Sequence, residues 1–187
     1  MKPELAKKQL IEKHPQMSEK IKNNVFKALD SLSTVLDEFD AKHIEQIYQI
    51  EQINPSYFPG LSIASSNTIV ALRQASSRLS LDFILDTVQK LAYRSRPWEL
   101  LAAFSSFAMY CRSEINEENI KILMKVNSDI VEIVGSTIKN EMEDRKDKLS
   151  GKCLTFFSSS SLQYGKGLLN SIREEHQRYF PYSSLKI

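Results

Sequence analysis

The side chains able to do chemistry are few, and their spacing gives them little to do together. The histidines are His14, His43 and His176. A helical zinc site needs two histidines four apart with a glutamate between, so that the ligands share one face. None of the three has such a partner. His43 with Glu45, and Glu174 or Glu175 with His176, lie one or two positions apart, and residues so spaced do not share a helix face. No metal or other cofactor is therefore expected. The cysteines are Cys111 and Cys153, too few for a disulfide framework. Cys111 falls in an apolar run, where burial raises a thiol's pKa and so opposes nucleophilic attack. Gly165-Lys166-Gly167 is a fragment of a phosphate cradle without the longer glycine-rich loop, or the Ser or Thr after the lysine, that would complete it. It reads as a bend or a close helix contact. No serine stands in the strand-to-helix elbow that activates a nucleophile. The chain is read as non-enzymatic, with no catalytic residue.

The bulk composition narrows the class. A length of 187 residues, 42% hydrophobic and 26% charged, is that of an ordinary soluble globule with room for a core. A net charge of +2 excludes broad electrostatic binding of nucleic acid, which needs a concentrated basic face. Local basic pairs, Lys7 with Lys8, Arg73 with Arg78 and Arg94 with Arg96, read as solvated helix faces. Two cysteines, each beside apolar residues, fit a reducing compartment. The opening MKPELAKKQLIEKH has no apolar core, so no secretory signal is expected, and REEHQRYFPYSSLKI carries no hydrophobic tail anchor. A cytoplasmic location, or delivery to a host cytosol, follows as the expectation.

Five glycines and six prolines leave long uninterrupted segments, and their periodicity is helical. A first helix is expected over Pro3 to Lys13, ending before Pro15. Ser18 can cap the next, whose stripe runs Ile21, Val25, Leu29, Leu32, Leu36 and Phe39. Asp40 restarts the chain into a helix with Ile44, Ile47, Tyr48 and Ile50 on one face. Asn54 to Asn67 then reads as the one long loop, its serines disfavouring helix, with Tyr57 and Phe58 packed back onto the globule. Asn67 is the expected cap of the following helix, and Ser80 of the one after, with Phe83, Ile84, Val88 and Leu91 inward. Asn116 caps a helix opening on Glu117 and Glu118. After a kink at Asn127, the stripe Ile130, Ile133, Val134, Ile138 and Met142 resumes as far as Gly151. Phe156 and Phe157 are expected to plug the core, and a last helix to span Leu162 to Phe180.

The segment from Pro97 to Arg112, PWELLAAFSSFAMYCR, has apolar residues in nearly every helical direction, the signature of a helix buried on all sides. It is too short to cross a bilayer, which takes roughly 20 apolar residues. The expected fold is thus all-α: a single-domain helical bundle of about seven to eight helices around a buried central helix over 97–112. Residues 1–15 form a helical arm and 16–187 the domain. Amphipathic helices wrapped around an apolar one can leave a groove that receives a partner's helix.

One family shares this order of features. The chain resembles the B-cell-lymphoma-two family of apoptosis regulators, in the divergent, tail-less form that viruses carry. Trp98-Glu-Leu-Leu-Ala-Ala-Phe-Ser-Ser-Phe is similar to that family's tryptophan and central hydrophobic helix. Leu72-Arg73-Gln74-Ala75 resembles the opening of its third homology motif, and Gly151-Lys152-Cys153-Leu154-Thr155-Phe156 lies where the second would. Ser76 and Ser77 replace the family's Gly-Asp, and Glu99 and Leu100 its Gly-Arg. Over Ser18 to Phe180 the resemblance implies a hydrophobic groove that captures amphipathic death-motif helices, with Leu72, Arg73, Trp98, Phe104 and Phe107 as its groove or core residues. The expected function is protein–protein interaction with an amphipathic helix as partner. The rivals are a host-directed bacterial effector or adaptor with an unrelated helical fold, and a small helical enzyme or cofactor-binding protein.

Overall fold

The computed structural model describes residues 1–148 and 167–183. Among them there are nine α-helices and no strand, so the chain is an all-α helical bundle. The helices are α1 (Pro3–Lys13), α2 (Glu19–Leu32), α3 (Ala41–Glu51), α4 (Leu61–Ala75), α5 (Leu81–Ala92), α6 (Pro97–Tyr110), α7 (Glu117–Lys125), α8 (Ser128–Lys148) and α9 (Leu168–Tyr179), with a 3-10 turn at Arg112–Glu114. They fall into two compact units, Met1–Ala102 and Ala103–Ile187.

Local chemistry sets most helix starts. The Ser18 hydroxyl accepts from the Ile21 amide at 3.2 Å, Ser80 from Phe83 at 3.1 Å, and the Asn116 side chain from Asn119 at 2.8 Å. Each satisfies a backbone donor that the first turn leaves orphaned. Pro97 opens α6, where its missing N–H does no harm. Asn127 separates α7 from α8 and accepts from the Asp129 amide at 2.8 Å. α2 stops at Leu32, before Leu36 and Phe39. The Ser33 and Thr34 hydroxyls there donate to the Asp30 and Ser31 carbonyls at 2.6 and 2.7 Å, local bonds that compete with helix continuation. Phe39 is buried nonetheless.

In the first unit α4 is the hub. Its broadest contact is with α2, and it packs also on α5 and α3; α1 packs on α2 and α3. Val25, Leu29, Ile47, Leu61, Ile69, Leu72, Ile84 and Val88 make the core. α4 starts six residues before the expected cap at Asn67, so Ser62, Ser65 and Ser66 belong to a helix rather than to a loop. All three are buried, as is Thr68, whose hydroxyl lies 3.1 Å from the Leu101 carbonyl oxygen. The weak local preference of serine against helix is overridden because small side chains let neighbouring backbones approach α4 closely. The loop proper is residues 52–60.

α6 departs from the all-round burial expected of it. Leu100, Leu101, Ala103, Phe104, Phe107 and Ala108 are buried, but Trp98 is 38% exposed, Met109 is 59% exposed, and Ala102 is exposed as well. The helix ends at Tyr110, and the division between the two units falls within it. Ala102 and Met109 are exposed yet apolar, which is why no face of the helix reads as polar in the sequence.

In the second unit the Phe104 and Phe107 rings lie 5.7 Å apart, and Ile120, Leu123, Ile130, Val134, Met142, Leu168 and Ile172 are buried. Ile133 and Ile138, expected on the same stripe, are half-buried. α8 packs against α9. Cys153, Phe156, Phe157, the Gly151 stop, the Gly165-Lys166 pair and the expected helix start at Leu162 lie outside the described residues. The resemblance's second homology motif lies there too. Among the described residues no helix is long and apolar enough to cross a membrane.

Candidate functional site

The loop between α3 and α4 is organised by one buried carboxylate. Glu51, the last residue of α3, is almost fully buried and has four hydrogen bonds. Its Oε2 accepts from the Gly60 amide at 3.1 Å and from Asn24 Nδ2 at 3.0 Å. Its Oε1 accepts from the Ser62 amide at 3.1 Å and the Ser62 hydroxyl at 2.6 Å. A negative charge at the positive end of α4 is favoured by the helix dipole, and all four donors are satisfied at once. Gly60 supports the arrangement with φ of +77°, a left-handed conformation that side chains with a Cβ resist. Asn54, at the start of the turn, also adopts positive φ, at 42°.

Above this cap lies an open groove of about 350 Å³. α2 contributes Lys20 and Asn24, the loop Pro59 and Gly60, α4 Ile63, Ala64 and Asn67, and the first turn of α6 Trp98. Pro59, Ile63, Ala64 and Trp98 make the apolar part of the lining, and Lys20, Asn24 and Asn67 the polar part. Lys20 is exposed and is the only charged residue of this lining among the described residues. Two residues before Pro59, Tyr57 is 78% exposed and meets Phe58 edge-on at 5.8 Å. The expectation that Tyr57 packs back onto the globule is therefore corrected: the capped loop turns its ring outward, and only Phe58 is half-buried.

Of the residues expected to form a groove, Trp98 lines this one. Leu72 is buried within the first unit. Arg73 is half-buried, its Nη1 donating to the Leu79 carbonyl at 2.7 Å. Phe104 and Phe107 are buried within the second unit. Lys20, Pro59, Ile63 and Ala64 carried no signal in the sequence, because the groove joins positions far apart in the chain.

Two histidines elsewhere are held against carboxylates. His14 Nε2 lies 2.9 Å from Glu45 Oε2 and the ring stacks on Tyr48 at 3.9 Å, with Lys13 Nζ 3.2 Å from the same carboxylate. Burial pushes the Tyr48 phenol above its ordinary value, helped by Glu45. His43, buried, has Nε2 2.7 Å from Asp82 Oδ1, and Lys42 Nζ lies 3.2 Å from the same oxygen. These pairs tie α3 to α1 and α5, while His176 Nε2 lies 3.4 Å from the exposed Ser183 hydroxyl and its ring meets Phe180 at 5.1 Å. The Cys111 thiol is pushed up to about 12 by burial and by the Glu114 carboxylate, so at neutral pH it is no nucleophile. Among the described residues no group of three or more His, Cys, Asp or Glu is placed to hold a metal ion.

Compared with protein-family models, with curated proteins and with solved structures, the chain matches none.

Proposed function

We propose that the chain is a protein-interaction module with no catalytic activity of its own, and that the groove beside Trp98 receives the apolar face of a partner's helix. The observation that carries this reading is an exposed tryptophan lining a groove together with Pro59, Ile63 and Ala64, with the exposed Tyr57 on the adjoining loop. Tryptophan and tyrosine are enriched among residues that dominate binding energy, because they bury large apolar area while keeping a polar handle. A groove between helices is also the shape into which an amphipathic helix lays its apolar side. The finer reading, capture of amphipathic death-motif helices by an apoptosis regulator, draws its support from the sequence pattern around Trp98.

Calorimetric titration with amphipathic death-motif peptides, and with unrelated amphipathic helices, tests both levels. Ala64→Phe fills the groove at a half-buried lining position. The coarse reading expects micromolar binding of some helix to the natural chain and loss of it in Ala64→Phe at unchanged melting temperature. Equal binding to both proteins removes the groove as the site. Binding of the unrelated helices alone removes the apoptosis reading.

A further inference from the structure

The charge around the groove says what an occupant must carry. Among the described residues Lys20 is the only charged member of the lining, and it makes no ion pair or hydrogen bond with any side chain. Glu51, which bonds to the lining residues Asn24 and Gly60, is itself buried and no part of the lining, and both of its oxygens are taken by Asn24, Gly60 and Ser62. A ligand lying against Trp98, Ile63 and Ala64 therefore meets one cation in the lining, on α2, and no lining carboxylate; the neighbouring Glu99 is held 3.6 Å from Arg96. We infer that the groove selects an acidic segment of a partner protein, with an Asp or Glu side chain close to the apolar residue that enters beside Trp98. The inference rests on the groove being the binding site.

Magnitudes divide the labour between the two parts. An exposed ion pair changes affinity by only about two- to fivefold, so the apolar contact supplies the affinity. Lys20 supplies discrimination and speeds encounter, since a cation at the rim repels a basic segment and attracts an acidic one. The preference is expected to weaken as salt rises.

The test is selection of short random peptides on the immobilised full chain and on its Lys20→Glu variant, followed by titration of synthetic copies while Trp98 emission is recorded. Lys20 is exposed, so the variant is expected to fold as the natural chain does. Supporting results are enrichment of Asp or Glu near a Leu, Ile, Met or aromatic residue on the natural chain, and replacement of that acid by Lys or Arg on Lys20→Glu. A two- to fivefold loss on changing the peptide's acid to its amide would agree with the pair strength above. Apolar peptides recovered equally by both proteins, with Trp98 emission changed, overturn the charge preference and leave the groove standing. Loss of binding on amidating the peptide's C-terminus, but not on neutralising its acidic side chain, overturns it in favour of a terminal carboxylate. Peptides that never alter Trp98 emission overturn the charge preference and the groove together.

Discussion

The Glu51 carboxylate accepts both the amide and the hydroxyl of Ser62, at 3.1 and 2.6 Å, across eleven residues of sequence. This pair, with Gly60 and Asn24, fixes where α4 begins and holds the loop that carries Tyr57 and Pro59. Removing the carboxylate strands four donors, two of them backbone amides in a buried first turn. Glu51→Ala is expected to lower stability by roughly 2–4 kcal/mol in chemical denaturation. A loss below about 0.5 kcal/mol, the size of an ordinary surface change, would show that the cap is not structural.

The opposite sign is expected one turn into the same helix. The Ser65 and Ser66 hydroxyls are buried and have no hydrogen-bond partner among the described residues. An unpaired buried hydroxyl is unfavourable by about 1–3 kcal/mol, and alanine is the better helix former. Ser66→Ala should therefore raise the unfolding free energy by about 1 kcal/mol. Destabilisation by a similar amount would mean that the hydroxyl is bonded after all.

A close approach governs the second unit. A Cβ placed on Gly135 of α8 would stand 2.5 Å from the Ala103 Cβ and 2.7 Å from its Cα. Alanine in place of a helical glycine gains up to about 1 kcal/mol of helix propensity. Overpacking against backbone that cannot rotate away costs about 1–3 kcal/mol or more, so the clash wins. Gly135→Ala is expected to lower the melting temperature; a rise would place α6 and α8 further apart.

The histidine-linked carboxylates set the acid limb of stability. Burial alone would raise the Glu45 carboxyl, but hydrogen bonds from His14 and Lys13 outweigh it and hold the group below its usual 4.5. Hydrogen bonds from His43 and then Lys42 hold the exposed Asp82 below its usual 3.8. With folded values below the unfolded ones, the unfolded chain binds more protons in this range. The contribution is complete above the unfolded values and is lost as pH falls through the folded ones. Stability should therefore decline below pH 4.5, and His14→Gln and His43→Gln should each flatten the decline. Urea titrations across the acid range give the slopes, and identical slopes in all three proteins would contradict the account.

Legibility in the sequence followed the range of the interaction. Ser18, Ser80 and Asn116 act on amides three residues away, so those helix starts could be read directly. The start of α4 could not, because it depends on Glu51 and on burial of Ser62, Ser65 and Ser66, all long-range effects that oppose local propensity. The α6 pattern did not reveal an exposed side, because Ala102 and Met109, which lie on it, are themselves apolar. Trp98 stood out by type, whereas Lys20, Pro59, Ile63 and Ala64 are ordinary residues made a site only by folding. Glu114 is similar: its carboxylate accepts from the Leu168 amide and caps α9, a pairing across 54 positions with no local sign.

The central claim is that binding happens at the groove closed by Trp98, and the chain holds a single tryptophan. The direct measurement is therefore its emission spectrum and its accessibility to a soluble quencher as a bound helix or peptide is titrated in. The account predicts a saturable blue shift and reduced quenching, with a midpoint matching the calorimetric affinity, because the half-exposed ring becomes covered. Binding at full stoichiometry with the emission and quenching of Trp98 unchanged would contradict it.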